Sequence, residues 1–192
     1  MTTGKNKGSA TKNHEREKSV SEERVSRNLS EYGKQLKEKQ KAKRIYGTRE
    51  RAFRRLFKAA TKQKGSPGQA LLVSLECRLD NVVFRLKMAK TRKQARQMIV
   101  HGHILVNGKK VTAPSLQVAL GDQISLHEST LSMMEFIAQV VDKPMKMTTK
   151  TPDWLELDRA NKIGRILRLP VRDDIPATPS IAEHLIVELY SK

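Results

Sequence analysis

Apolar residues recur at helical spacing along the first half of the chain and predict a series of amphipathic helices. From Leu29 to Gly47 they are sparse, so this stretch is expected to be helical in part, with a thin buried stripe. Thr48 is placed to cap a second helix, which Gly65 would end. Its apolar stripe, at positions i, i+3, i+4 and i+7, consists of Phe53, Leu56, Phe57 and Ala60.

A longer helix is predicted to begin at Ser66 and Pro67. Ser66 and Gln69 have the spacing of a capping box. Pro67 suits the first helical position because the backbone N–H that proline lacks would have no partner within the helix there. The apolar stripe then continues at helical spacing to about Met88. The polar residues on other faces of this single predicted helix include Arg78, Asn81 and Arg85.

The next fifty residues combine helix and strand signals. Thr91 to Gln94 form a second capping box, which opens a short helix that Gly102 would close. The short link to the preceding helix predicts an αα-hairpin. Asn107 and Gly108 then form the turn of a predicted β-hairpin, and a further strand follows at 123–126. Together these elements predict a two-helix, small-sheet module over roughly residues 76–128.

The last third is predicted to contain two helices and one strand. A helix over 129–143 starts at Ser129 and Thr130, and its inward residues would be Leu131, Met134, Ile137, Ala138 and Val141. The segment WLELD at 154–158 alternates in polarity as a strand does. A third capping box, Ser180 to Glu183, predicts a C-terminal helix with Ile181, Leu185 and Leu189 facing inward.

Positive charge is concentrated towards the start of the chain. Residues 1–64 carry 20 Lys and Arg against 7 Asp and Glu, a net +13; residues 65–128 carry 9 against 4, a net +5. Residues 129–192 carry 9 of each, so this third is expected to serve mainly packing against the helical first third. The gradient favours a polyanion held against the first two thirds. An anionic membrane is the weaker alternative, because surface-binding helices usually lack a folded domain behind them.

Several classes of protein are excluded by composition. No apolar stretch approaches the ~18 residues of a membrane span, and the first residues lack the apolar run of a secretory signal. The single cysteine, Cys77, excludes internal disulfides and multi-thiolate metal sites. His101 and His103 lack the i, i+4 spacing of a helical metal pair, so neither a metal nor another cofactor is expected.

Residues 1–28 contain almost no apolar residue, which predicts a disordered basic and polar tail. This tail either stays solvated or becomes ordered on RNA. It also accounts for part of the low hydrophobic fraction of the chain, 38% against about 45–50% in typical globular proteins.

Three cations stand at the start of the short helix that Thr91 caps: Arg92, Lys93 and Arg96. A helix N-terminus favours anions, so cations there lose stabilisation unless an external anion such as phosphate supplies it. The alternative is chance accumulation of cations in a basic protein.

Residues 78–111, RLDNVVFRLKMAKTRKQARQMIVHGHILVNGKKV, resemble the RNA-binding module named after ribosomal small-subunit protein four. Residues 29–57, 153–158 and 181–192 are similar to the ribosomal family itself, so the resemblance covers 29–192. It implies an α+β fold in which a helical domain built from both chain ends carries an inserted module, an αα-hairpin plus a small β-sheet. The implied division is a tail at 1–28, a helical rRNA-binding domain at 29–75 completed by 139–192, and the module at 76–138.

The same resemblance implies a structural constituent of the small ribosomal subunit in the cytoplasm, in preference to an organelle ribosome. Such a protein would bind 16S-type rRNA early, nucleate subunit assembly, and lie beside other small-subunit proteins near the messenger RNA entry path, where messenger RNA is a further partner, and near the decoding-accuracy region. No membrane partner is implied. Residues 1–28 depart from the family, which usually opens with a longer structured segment and in some members has four zinc-binding cysteines.

The candidate RNA-binding residues form two groups. In the family the basic helices corresponding to residues 34–58 lie against rRNA, which together with their charge marks Lys34, Lys37, Lys41, Lys43, Arg44, Arg49, Arg51, Arg54 and Arg55. The module's signature positions and adjacent cations give Arg78, Asn81, Arg85, Lys90, Thr91, Arg92, Lys93, Arg96, Gln97, His101, His103, Asn107 and Lys109. Asp80 is expected to orient neighbouring basic residues, because a carboxylate beside phosphate is unfavourable.

Two other functions remain as alternatives: an RNA-modifying or aminoacylating enzyme with this module as an appendage, and a non-ribosomal RNA-binding factor. The sequence contains no GxSxG, no phosphate loop and no HxxxH helix, so no enzymatic activity is expected. A factor made of the module and a basic tail would leave the last third of the chain unexplained.

Deletion of residues 1–28 is expected to leave the melting temperature of the isolated protein unchanged, because a tail without apolar residues adds nothing to the core. Thermal unfolding of the full-length and truncated chains tests this expectation. A fall of several degrees on truncation would contradict it.

Overall fold

The computed structural model describes residues 30–133, 137–142, 151–175 and 181–191 of the chain. Its α-helices are α1 (Glu31–Tyr46), α2 (Glu50–Ala60), α3 (Pro67–Glu76), α4 (Leu79–Arg85), α5 (Arg92–Val100), α6 (Glu128–Leu131) and α7 (Glu183–Ser191), with a π-helical turn at Ile137–Asp142 and a 3₁₀ turn at Arg172–Asp174. Its strands are β1 (Ile104–Val106), β2 (Lys109–Lys110), β3 (Gln123–Leu126), β4 (Leu155–Asp158) and β5 (Ile163–Ile166). The mixture of helices with a small antiparallel sheet confirms the α+β class.

Helices α1, α2, α3 and α7 form a helical layer with its own core. Helix α7 packs against α1 and α3, and α2 packs against α3, so the two ends of the described chain meet in this layer. The rings of Phe57 and Tyr190 stack with centroids 4.4 Å apart. The buried apolar residues of the layer are Ala42, Tyr46, Phe53, Phe57, Ala60, Leu71, Leu72, Leu75, Ile175, Ile181 and Ile186.

A second core lies between the α4–α5 hairpin and a five-stranded antiparallel sheet of order β2-β1-β3-β5-β4. Strand β5 pairs with β3, placing Ile124 opposite Gly164. Trp154, Leu155 and Ile166 are buried in this core. The hairpin and the sheet together are called the module below.

The division of the last third differs from the expected one. The sequence assigned all of 139–192 to the helical domain, but the structure shares this segment between the two cores. Strands β4 and β5 extend the module's sheet because β5 satisfies the hydrogen-bonding edge of β3, whereas α7 joins the helical layer. The family resemblance could not reveal this pairing, because it indicates which segments belong to the protein and not which strands are neighbours.

The long helix predicted from Ser66 to about Met88 is wrong, because the chain leaves the helix at Cys77 and Arg78. Arg78 is extended and bridges to Gln117, the Leu79 amide donates to the Leu116 carbonyl at 2.9 Å, and the Val118 amide donates to the Cys77 carbonyl at 2.9 Å. Pairing with a segment forty residues away therefore replaces the helical hydrogen bonds. The result is two helices, α3 and α4, at an angle that apolar spacing alone did not indicate.

Two of the predicted helix caps are wrong in detail. Arg49, not Thr48, occupies the cap position of α2, and the Thr48 hydroxyl is buried without a hydrogen-bond partner among the described residues. Ser66 caps α3 by position only, without a side-chain hydrogen bond, although Pro67 does take the first helical position. Helix α2 also ends at Ala60, before Gly65.

The cap of α5 and the hairpin turn are confirmed. The Thr91 hydroxyl accepts the Gln94 amide at 3.1 Å. Asn107 and Gly108 have φ values of +51° and +74°, the left-handed conformation that a two-residue hairpin turn requires. The Asn107 side chain donates to Asp122 at 2.7 Å and accepts the Gln123 amide at 2.9 Å, so it fastens the hairpin to the next strand.

The segment after β3 is less regular than the predicted helix over 129–143. Helix α6 is one turn long and is capped by His127, and Leu131 is 41% exposed rather than inward. Ile137 and Val141 are buried as expected, Ala138 is exposed, and Met134 lies outside the described residues.

In α7 the fully buried side chain is Ile186, with the predicted Leu185 and Leu189 only half-buried, because this helix contacts both α1 and α3. The capping box at Ser180 and the tail at 1–28 lie outside the described residues.

Gly164→Ala is expected to destabilise the protein by about 1–3 kcal/mol, as overpacking of a core does. A Cβ at Gly164 would overlap the Leu86 Cδ1 methyl and lie 2.7 Å from Cδ2. Urea unfolding of the variant measures the loss. The control combines Gly164→Ala with Leu86→Ala, which removes the overlapping methyl groups. This double variant should lose less free energy of unfolding than the two single variants added together, and strictly additive losses would contradict the overlap.

Candidate nucleic-acid interface

The outer faces of α1 and α2 present a row of exposed cations. Both helices use their apolar side to cover the helical layer, so their arginines and lysines are left on the opposite side. The exposed cations of these helices and their start are Lys37, Arg44, Arg49, Arg51, Arg54, Arg55 and Lys58. All except Lys58 are among the residues predicted from sequence.

A groove of about 390 Å³ lies where the start of α2 meets the module. Four arginines line it, two from the helical layer and two from the module: Arg49, Arg55, Arg78 and Arg96. The remaining lining comes from residues 47, 48, 52, 114 and 115. A second depression of about 410 Å³, lined by Arg49, Arg51, Ala52 and Arg55, shares two of these arginines. Guanidinium groups converging on a concave surface concentrate positive potential and match phosphate geometry.

Asp80 holds the two module arginines of the groove. Its buried carboxylate accepts Arg78 Nη2 at 2.8 Å and Arg96 Nη2 at 2.7 Å. Arg96 also donates to the carbonyl of Gly47 at 3.0 Å, so it joins the module to the end of α1. These contacts confirm the expectation that Asp80 orients neighbouring basic residues.

Glu76 forms a second buried centre that sequence reasoning missed. Its carboxylate accepts the Tyr46 hydroxyl at 2.7 Å, Asn81 Nδ2 at 2.7 Å, and Arg85 Nη2 and Nε at 2.7 and 3.0 Å. Burial raises the pKa of Glu76, but the hydrogen bonds and charge of Arg85 outweigh it, so the pKa lies below its ordinary value. The only signal in the sequence is an acidic residue next to the apolar stripe at Leu75.

The Arg92 side chain lies next to the partners of Glu76 and is half-buried by the surrounding protein. Its guanidinium stands 4.6 Å from the Phe84 ring centroid and 5.3 Å from that of Tyr46, and Nε donates to Asn81 Oδ1 at 2.7 Å. Burial, followed by the charge of Arg85, lowers the pKa of Arg92. The positive charge of Arg92 therefore has internal partners, and an external phosphate at the start of α5 would meet the exposed Lys90 and Lys93 instead of Arg92.

The remaining module residues of the prediction separate into buried and exposed groups. Asn81 is 1% exposed and Arg78 6%, so Asn81 supports the surface rather than forming it, and Arg78 lines the groove with only a small exposed area. Asn107 is exposed but holds the hairpin turn. The exposed members include Thr91, Gln97, His101 and Lys109, whereas Arg85 and His103 are half-buried.

On α1, three of the predicted lysines form ion pairs. Lys34 pairs with Glu31 at 2.7 Å, Lys41 with Glu38 at 3.3 Å, and Lys43 with Glu50 at 2.7 Å. The hydrogen bond from Lys43 is the largest cause that lowers the pKa of Glu50 to about 2. Of these three pairs only Lys34–Glu31 is exposed, and exposed pairs are weak, so Lys34 remains accessible to a polyanion, whereas Lys41 and Lys43 are half-buried.

Within the described ranges, no group of three or more His, Cys, Asp or Glu side chains has the arrangement of a metal site. None of the helices described is long and apolar enough to cross a membrane.

Comparison with known proteins finds two family models along this chain. Residues 3–76 match the ribosomal protein S4/S9 N-terminal domain, and residues 77–124 match the S4 domain. The first match begins upstream of residue 29, where the resemblance recognised in the sequence begins.

Several relatives named small ribosomal subunit protein uS4 match most of the chain. The protein of Thermoanaerobacter sp. strain X514 is 51% identical over 164 residues, which cover 85% of this chain and 76% of that protein. The protein of Desulforamulus reducens is 49% identical over the same shares. That of Dictyoglomus thermophilum is 50% identical over 169 residues, covering 88% of this chain and 79% of the relative.

Glu76→Gln is expected to destabilise the protein at pH 7 by about 3 kcal/mol or more, because it breaks a buried pair and leaves the half-buried Arg85 without its counter-ion. Since the pKa of Glu76 in the folded protein lies below its unfolded value, its charge stabilises the fold above the unfolded pKa, and this contribution is lost as the pH falls through the folded pKa. The difference in free energy of unfolding between the wild type and Glu76→Gln should therefore become smaller below about pH 4.

Urea unfolding at a series of pH values measures this difference. The matched control is Glu31→Gln, which removes the exposed pair with Lys34 and should cost no more than about 0.5 kcal/mol. A Glu76→Gln effect that is the same at pH 3 and pH 7 would contradict the role given to the charge.

Proposed function

Because this chain belongs to the ribosomal protein uS4 family, we propose that it is a structural protein of the small ribosomal subunit that holds small-subunit rRNA across the groove between its helical layer and its module. The observation that carries this proposal is the convergence of Arg49, Arg55, Arg78 and Arg96 on one concave surface. Phosphate contacts fix a protein's position on RNA without reading its sequence, which suits a protein that fixes the geometry of a large RNA.

The predicted RNA-binding residues have two different tasks in this proposal. The exposed cations of α1 and α2, together with Lys90, Lys93 and Lys109, contact phosphates. Asn81, Arg85 and Arg92 act from inside by holding the module against α1. Thr91 and Asn107 fix the helix start and the hairpin turn that present neighbouring cations.

We infer further that the protein binds early, nucleates assembly of the subunit in the cytoplasm, and lies near the path by which messenger RNA enters. Support comes from the exposed cations of α1 and α2, which offer contact area for more than one RNA segment, messenger RNA included. The protein would act without catalysis and without a membrane partner, beside neighbouring small-subunit proteins. Its domains in this proposal are the tail at 1–28, the helical layer and the module.

A ribosomal protein and a loosely associated factor or enzyme differ in stoichiometry. We expect one copy per small subunit after a high-salt wash, because many phosphate contacts must break together before the protein leaves. Quantitative mass spectrometry of washed subunits measures the ratio. A substoichiometric ratio would favour the alternative of a non-ribosomal RNA-binding factor or an RNA-modifying enzyme.

Replacing Arg51 and Arg55 together by Ala is expected to weaken binding to a small-subunit rRNA transcript and to flatten its dependence on salt. The slope of log K against log salt is negative, and each lost phosphate contact on a duplex reduces its magnitude by about 0.9. A total reduction of about 1–2 is therefore expected. Filter binding at several salt concentrations gives both quantities. Arg159→Ala, an exposed cation of the neutral last third, is the matched control and should leave the slope unchanged. A double variant with the wild-type slope would rule out these phosphate contacts.

A further inference from the structure

A third concave site, chemically different from the two described above, lies on the module where α5 leads into β1. Its volume is about 230 Å³, and its lining consists of Gln94, Gln97, Met98, His101 and His103. Among the described residues no lysine, arginine or carboxylate lines this cavity, in contrast to the groove of four arginines. It is therefore poorly suited to phosphate and better suited to a neutral, flat and partly polar group.

The two histidines present nearly parallel rings. The centroids of His101 and His103 are 6.1 Å apart, and their planes differ by 20°. A hydrogen bond of 2.9 Å between His103 Nδ1 and the hydroxyl of the buried Thr130 fixes one of these rings. Burial, and then the charges of His101 and Lys110, lower the pKa of His103. A fixed aromatic ring is a platform on which bases stack.

The other lining residues supply the contacts that a nucleobase needs. Gln97 is exposed, and its amide carries both a donor and an acceptor for the edge of a base. Gln94 is held in place because its Oε1 accepts the Lys90 amide at 2.7 Å. Met98 is buried and gives the cavity an apolar floor.

Two exposed cations, Lys93 and Lys110, lie near residues that line this cavity. Lys93 lies one helical turn before Gln97 on α5 and is exposed. The Lys110 side chain lies over Gly102, between the two histidines in the chain, where it occupies the space that a Cβ would fill. A nucleotide with its base in the cavity would thus have its phosphates within a positive field.

We propose that this cavity binds one unpaired nucleobase of the RNA, stacked on the imidazoles of His101 and His103 and hydrogen-bonded by the Gln97 amide. The proposal rests on the rRNA binding proposed above and adds a base contact to a surface that otherwise meets phosphates. A base can enter only from a single-stranded loop, bulge or end, because paired bases in an RNA helix stay stacked.

The test uses the full-length chain and a small-subunit rRNA transcript, with binding measured over a range of salt concentrations. His101→Ala should lower the affinity about tenfold, as loss of a stacking platform does, without changing the salt slope. His101→Tyr should restore most of the affinity, because it returns an aromatic face without a charge. Lys93→Ala is the contrasting variant, because removal of a phosphate contact should reduce the magnitude of the negative salt slope by about one.

Chemical probing of Watson–Crick edges in the same complexes gives a second readout. Wild-type protein should protect one unpaired base, and Gln97→Ala should leave that base reactive. His101 and Gln97 are exposed, so both variants should keep the wild-type melting temperature, which is measured alongside. Unchanged affinity in His101→Ala, a changed salt slope that tyrosine does not rescue, or no protected base would each overturn the proposal. Failure of wild type to prefer this transcript over unrelated RNA would instead count against the proposed function.

Discussion

The structure depends on the neutralisation of two buried carboxylates, Glu76 and Asp80, at the junction between the helical layer and the module. An unpaired charge in such a place would cost several kcal/mol, so each carboxylate requires cationic or hydrogen-bonding partners from the elements around it. Tyr46 supplies one of them from α1, and Arg85 and Arg96 supply others from the hairpin. Because these partners come from both the helical layer and the module, neutralising the two carboxylates also fixes how the helical layer and the module pack together.

This requirement divides the basic residues into two populations that look alike in the sequence. Arginines with a fixed, planar set of donors serve the buried centres, where several hydrogen bonds must be made at once. The lysines of the module, such as Lys90 and Lys93, remain on the surface. A strongly basic composition therefore overstates the charge that is free to meet RNA, since part of it balances carboxylates within the protein.

Several local signals in the sequence predicted local structure, although the caps assigned to Thr48 and Ser66 did not form as expected. The Thr91 cap, the Asn107–Gly108 turn and the end of α5 just before Gly102 each depend on a few neighbouring residues, and all three are found. The break at Arg78 was missed because it depends on pairing with Gln117, which no helical period can reveal. Charge alone placed the candidate site on α1, α2 and α5, but whether Arg92 faces solvent or Asn81 depends on tertiary packing. Glu76 was overlooked for the same reason.

Both cores are completed by segments that are synthesised late, so neither core can finish folding early in translation. Strand β5 must leave the ribosome before β3 gains its second partner, and α7 must do so before α1 is covered. A nascent chain that already displays the cations of α1 and α2 therefore still lacks the scaffold that holds them in one arrangement, because domains fold as units while synthesis proceeds from the N-terminus. The finished RNA-binding surface thus comes into being only when translation of the last helix is complete.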